Sequence, residues 1–298
     1  MGHDHDHDHA GHPDYGRAFL IATALNVSFV VLGAVYGIVA HSMALLADAA
    51  HNLGDVLGLL LAWGASVLSK RTATRHRTYG LRRSSILAAF LNSFLLLFAT
   101  GGVAWEAVRR FGEPVPVASK TVMAIAAIGI VVNLGSSLPF LAGRKRDINI
   151  GGTFLHLIGD AAFSFAVVLA GAVMYVTGWS WLDPAMSLVL AAAILIGTWT
   201  LLRSSINLIL DAVPDEIDPD AVRTYLACLP GVSGVHHLHI WPLSTTETAL
   251  TAHLVMPVPS EKTDFLAEIA EGLRHEFRIG HSTIQVDPAD AGEECAEC

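Results

Sequence analysis

Six long apolar runs dominate this chain, at roughly residues 18–40, 44–68, 84–108, 119–142, 151–177 and 185–208, and nothing else restricts its fold as severely. A helix needs about 20 largely apolar residues to cross the hydrocarbon of a bilayer. Within that layer only helices and closed barrels pair all their backbone groups, so the pattern predicts six membrane-spanning helices. The first run is long enough to span and follows no basic stretch, which argues against a cleaved signal peptide.

Charge in the connections orients the bundle. Lys70, Arg71, Arg75, Arg77, Arg82 and Arg83 lie between the second and third runs, and Arg144, Lys145 and Arg146 between the fourth and fifth. The connections near His41–Ser42 and Gly178–Asp183 carry no Lys or Arg, and Arg109, Arg110 and Lys120 weaken the bias without reversing it. By the positive-inside rule both termini face the cytoplasm, with a bacterial inner (plasma) membrane as the expected location. Soluble domains average about 25% charged residues; this chain has 15%, and 53% of it is hydrophobic.

The charges it has are segregated. Residues 211–298 hold 16 Asp and Glu against 4 Lys and Arg, a balance of −12 where the whole chain has −9. A tail this acidic repels nucleic acid and attracts cations. Asp218-Pro219-Asp220 reads as a cap with Pro in the first turn of a short helix reaching about Leu229. Val232–Leu243 and Thr246–Met256 read as strands, Thr263–Phe277 as a helix capped by Thr263, and Ser282–Val286 as a last strand. The expected fold is therefore a six-helix membrane domain over 17–210 and a small α+β domain, in the order α-β-β-α-β, over 211–290. A His/Asp-rich segment over 1–16 precedes them and a Cys-x-x-Cys segment over 291–298 follows. Both ends are expected to lack structure without metal. Three cysteines make no disulfide framework, and in a cytoplasmic tail they are expected to be reduced.

Two spans carry the same unit. The second contains His51-Asn52-Leu53-Gly54-Asp55 and the fifth His156-Leu157-Ile158-Gly159-Asp160. At i and i+4 each His and Asp share one helix face, and a glycine before the Asp would let a neighbouring helix close in. Packed polar residues bridging helices would explain one such pair. A carboxylate near the bilayer centre costs about 2.5–3.5 kcal/mol on insertion scales and usually marks an ion path, so two identical pairs point to function. Two imidazoles and two carboxylates suit tetrahedral Zn2+. Asp48, seven residues before Asp55, shares that face and would meet the ion on its way in or act as a cap.

The acidic domain has a second set. Alternation along a strand puts His237 and His239 on one face and His236 on the other. Together with His253, His281, Asp287, Cys295 and Cys298 these histidines suggest a cytoplasmic metal site of imidazole, carboxylate and thiolate type. His3, His5, His7 and His9, alternating with Asp, would capture metal loosely. His41 and His76 have no partner at ligand spacing and read as loop residues.

Taken together, Ser42-Met43-Ala44-Leu45-Leu46-Ala47-Asp48-Ala49-Ala50-His51 through Asp55, His156–Asp160 and Val235–Trp241 resemble the cation diffusion facilitator family of zinc transporters over about Phe19 to Val286. The resemblance implies a homodimeric metal/proton antiporter whose transport site is His51, Asp55, His156 and Asp160. It also implies cytoplasmic metal at His236, His253 and Asp287, with His281 and the terminal cysteines matching the vesicular carriers. The His-rich stretch that many members hold between helices four and five is replaced by a short Gly143–Ile150 connection, with the N-terminal repeat as a substitute. Only His76 is available for the interfacial metal that some members hold between helices two and three. The expected function is export of Zn2+, and of other divalent transition metals, with regulatory metal in the tail and no cofactor. A membrane metal sensor without transport is the alternative. A zinc hydrolase would need a motif such as His-Glu-x-x-His, which the chain lacks, so no enzyme is expected.

Overall fold

A computed structural model describes residues 15–113, 115–141, 144–145, 148–258 and 264–288. Six long helices come first: α1 (Tyr15–Val39), α2 (Met43–Ser69), α3 (Ser84–Gly112), α4 (Ser119–Ser137, extended by a 3-10 turn at Leu138–Phe140), α5 (Ile148–Thr177) and α6 (Leu182–Ile209). Helices α2 to α6 are long and apolar enough to cross a membrane, and α1 contributes the apolar stretch Thr23–Val39. Large side chains such as Trp63, Phe98, Trp105, Val176 and Trp199 stand exposed on them, as lipid-facing residues do. The helix bounds follow the apolar runs closely, although α1 begins at Tyr15, inside the stretch expected to lack structure.

The chain divides into two compact units, Met1–Leu57 with Phe94–Thr198 and Gly58–Ser93 with Trp199–Cys298. In the first, Phe29, Ala44, Leu45, Val122, Ile125 and Val167 form a core between α1, α2, α4 and α5. Small residues set the helix spacing. A Cβ on Gly129 would lie 2.6 Å from Phe29 Cζ and 2.9 Å from Ser164 Oγ, and one on Gly171 would lie 2.6 Å from Met123 Cγ. The first turn of α2 has backbone N–H groups with no partner in their own helix. Asp183, fully buried at the start of α6, supplies one, accepting from Ser42 Oγ at 2.5 Å and from the Met43 amide at 2.5 Å.

The second unit holds α7 (Pro219–Ala227), β1 (Gly234–Pro242), β2 (Thr248–Val255), α8 (Phe265–Phe277) and β3 (Ile279–Asp287), the order expected from the sequence. β1 pairs antiparallel with β2, and β2 pairs parallel with β3 through the α8 crossover. One sheet face carries the core, where Leu250, Ala252 and Leu254 meet Val222 and Leu226 of α7 and Ile269 and Leu273 of α8. Asp218 caps α7, accepting from the Asp220 amide at 2.9 Å. Thr263 lies outside the described residues; Asp264 precedes α8 and makes no side-chain cap bond. Within this unit the α2–α3 connection is held by ion pairs from Arg82 to Glu247 and from Arg83 to Asp211.

The sheet departs from simple alternation at one point. His236 pairs with His253 but His239 with Thr251, so β1 spends one extra residue there. His237 takes up the extra length at φ 47, the left-handed region that a side chain adopts only under constraint. Its ring consequently lies 5.1 Å from that of His253 and 6.3 Å from that of His239. His236 and His253, directly opposite each other, share a face, and His237 turns toward the same pair instead of pointing away from it.

Candidate metal site

The two repeated units meet. His51 and Asp55 on α2 and His156 and Asp160 on α5 each offer a ligand atom, and these four atoms all lie within 4.8 Å of one another. It is the one such group of three or more among the described residues. His156 Nε2 is 3.2 Å from Asp55 Oδ2 and 3.5 Å from Asp160 Oδ2; His51 Nε2 is 3.5 Å from Asp160 Oδ1 and 3.8 Å from Asp55 Oδ2. With zinc–ligand bonds of about 2.0–2.1 Å, the edge of a ligand tetrahedron is roughly 3.3 Å. Three of these four contacts lie within about 0.2 Å of that edge, although Asp160 meets the two histidines with different oxygens. The two rings stand nearly perpendicular, at 77° with centroids 5.6 Å apart, so their nitrogens converge without stacking.

Local sequence explains the convergence. The i, i+4 spacing places each His and Asp one above the other on a helix face, and two such faces turned toward each other make a four-cornered cage. Gly54 admits α3: a Cβ there would lie 2.6 Å from Leu96 Cδ1. Gly159 does not play the matching part, since a Cβ there would meet nothing within 4 Å. The expected symmetry of the two glycines therefore fails, because α5 turns that position toward open space. Asp160 is the most buried ligand, its side chain 9% exposed, whereas His156 is 44% exposed. His51 Nδ1 is buried with no partner among the described residues. Asp48 is buried and not one of the four converging ligands; its backbone carbonyl and its carboxylate both accept from Asn52 Nδ2, at 2.9 and 3.3 Å.

The cytoplasmic set is gathered less completely. His253 Nδ1 and Asp287 Oδ2 are 2.9 Å apart, across β2 and β3. The Gln285 amide, donating to Asp287 at 2.7 Å, and the neighbouring His253 hold that carboxyl below its ordinary range. His236 faces His253 from β1. His281 lies toward the other end of the sheet, opposite Ala249, with its ring edge-on to Tyr79 at 5.7 Å. His237, assigned by alternation to the face away from His236, joins the pair through the bulge; a four-residue alternation carries no mark of a bulge. His3, His5, His7, His9, Cys295 and Cys298 lie outside the described residues.

Residues 19–210 match the cation efflux transmembrane domain, and residues 214–289 match the cytoplasmic domain of cation efflux proteins. The chain is 35% identical to the metal cation efflux system protein CzcD of Cupriavidus metallidurans, covering 97% of this chain and 90% of that one. It is 33% identical to a cadmium, cobalt and zinc/H(+)-K(+) antiporter of Bacillus velezensis, covering 97% and 93%. To the zinc transporter ZitB of Escherichia coli it is 33% identical, covering 96% and 91%.

Proposed function

This chain belongs to the cation efflux family, and on that premise we propose that it exports Zn2+ through the His51–Asp55–His156–Asp160 site in exchange for protons. It is a multi-pass membrane carrier and not an enzyme. The observation that carries the reading is the quartet itself: two imidazoles and two carboxylates whose ligand atoms converge within 4.8 Å inside apolar helices. Imidazole and carboxylate together suit Zn2+ and would also admit cadmium or cobalt, in keeping with the antiporter among its relatives.

Proton exchange follows from electrostatics. Moving one charge against 100 mV costs about 2.3 kcal/mol, so expelling a dication against an inside-negative potential costs about twice that. One or two entering protons offset half or all of it. Histidine binds metal only when neutral, so protons and metal compete for the same nitrogens and the site couples the two fluxes.

The acidic domain is read as the regulator. In a homodimer two tails of −12 each repel, and zinc held by His236, His253 and Asp287 would offset that repulsion and draw the domains together. His281, Cys295 and Cys298 extend this reading, and His3 to His9 serve as a loose collector. The basic connections after the second and fourth spans support cytoplasmic termini, in an inner membrane.

Radiolabelled zinc uptake into proteoliposomes under an imposed pH gradient tests the proposal, with wild type and Asp160→Ala side by side. Uptake that follows the gradient and vanishes in the variant is expected. A variant that transports normally removes this site, and a folded wild type that transports nothing leaves a metal sensor.

A further inference from the structure

Beside the quartet, the helices bury polar groups that nothing in the described protein satisfies. Asn133 of α4 is fully buried, and neither its amide oxygen nor its amide nitrogen has a partner. The hydroxyl of Ser164 on α5, a residue 2% exposed, and the amide oxygen of Asn26 on α1 are buried and unpartnered too. Buried amides and hydroxyls in native proteins are paired by protein or by ordered water, and within lipid no bulk water stands in.

Helix register puts these groups at the depth of the metal ligands. α4 and α5 run antiparallel, and Gly129 meets Ser164. One turn along α4 from Gly129 is Asn133; one turn back along α5 from Ser164 is Asp160. Antiparallel helices keep such steps level, so Asn133 lies at the height of Asp160 and on the face of α4 that carries Gly129 toward α5. Gly129 also meets Phe29 of α1, and α1 runs antiparallel to α4, with the Ala118 amide bonded to the Ala40 carbonyl. Asn26, about one turn back from Phe29, therefore falls at the same level. Three helices thus bring unsatisfied donors and acceptors to one layer, level with the deepest carboxylate of the cage.

We propose that Asn133, with Ser164 and Asn26, binds buried water against Asp160 and so holds that carboxylate in its metal-binding orientation. The inference rests on the zinc-carrier reading above. A buried water takes about three hydrogen bonds, and an amide, a hydroxyl and a carboxylate oxygen supply them. Metal ligands are regularly aimed by such partners, whose loss typically costs 10–100-fold in affinity. Asn133 is a positioning residue on this account, acting on the ion only through water and Asp160.

The test compares Asn133→Leu, which has the same bulk but no polar atom, with Asn133→Ser, which leaves room and a hydroxyl for water. In proteoliposomes, Asn133→Leu should raise the zinc concentration for half-maximal uptake about 10-fold, while Asn133→Ser stays within about 3-fold of wild type. No change in the Leu variant, or equal loss in both, overturns the proposal, the latter by showing a packing role. If the Leu variant does not fold, Ser164→Ala removes one oxygen and should shift the same concentration about 3-fold; no shift overturns it. X-ray hydroxyl-radical labelling of the full-length chain provides a readout independent of transport. Phe29 is 2% exposed, and water held beside it should still label its ring. Absence of that label in wild type overturns the inference, whereas labelled but inactive wild type would fault only the zinc-carrier reading.

Discussion

The membrane quartet and the cytoplasmic histidines offer the same ligand types, gathered to different degrees. On α2 and α5 one ligand atom from each of the four residues stands within 4.8 Å of the others. On the sheet, His253 and Asp287 meet while His236 and His237 approach from β1 and His281 stays toward the far end. Helical spacing of four residues brings two ligands together without help from the rest of the fold. A strand brings ligands together only through register, and register sets ring against ring more loosely than a cage requires. A carrier gains from a cage that is ready whenever the ion arrives. A regulator gains from one that closes only when metal is abundant, because the closing is the signal.

The sharpest way to break this contrast is to remove one ligand from each site. Asp55→Ala should lower gradient-driven zinc uptake by about 100-fold or more, since the cage loses a corner, while zinc bound by the sheet keeps its affinity in equilibrium dialysis. His236→Ala with His253→Ala should weaken the cytoplasmic zinc by roughly 10–100-fold yet lower maximal uptake less than about 5-fold. Uptake that collapses as fully as in Asp55→Ala would show one coupled machine in place of a carrier and its regulator.

Smaller effects sharpen the same comparison. Gly54→Ala pushes a methyl against Leu96 and should cost about 1 kcal/mol of thermal stability, whereas Gly159→Ala meets open space and should be neutral or gain up to about 1 kcal/mol from helix propensity. If the two glycines behave alike, the unequal surroundings of the two repeated units are wrong. The mildest effect concerns pH. Asp287 is held below the ordinary carboxylate range, chiefly by Gln285 and then by His253, so its charged form stabilises the sheet at any pH above the ordinary value of about 4. That contribution fades as pH falls through the lowered value. Asp287→Asn should therefore forfeit that contribution at neutral pH and flatten the acid limb of unfolding below about pH 4, so that variant and wild type converge in acid, as followed by circular dichroism.

The sequence displayed the helices, the order of the small domain and the quartet, because each rests on a short-range period. Residues 44–68 show apolar length, and His51 with Asp55 shows a four-residue step. What it hid depends on contacts between distant segments. Asp183 looks like an ordinary acid in a turn until the fold sets it on the amide of Met43. Asn133 is one polar residue in an apolar run, and only the pairing of α4 with α5 brings it level with Asp160. His237 needed the strand register, since a bulge reverses the face that alternation assigns.

Asp183 also bears on the order in which the protein can be made. Its bonds to Ser42 and Met43 join residues about 140 positions apart. At about 5–20 residues per second, the ribosome delivers the cap of α2 roughly 7–28 seconds after the helix it closes. During that interval the Met43 amide of α2 lacks its carboxylate partner, and His51 and Asp55 still wait for α5. A nascent chain halted before the sixth helix would therefore present an unfinished second helix to the insertion and quality-control machinery, which makes the last span the step that commits the first half of the protein to its final form.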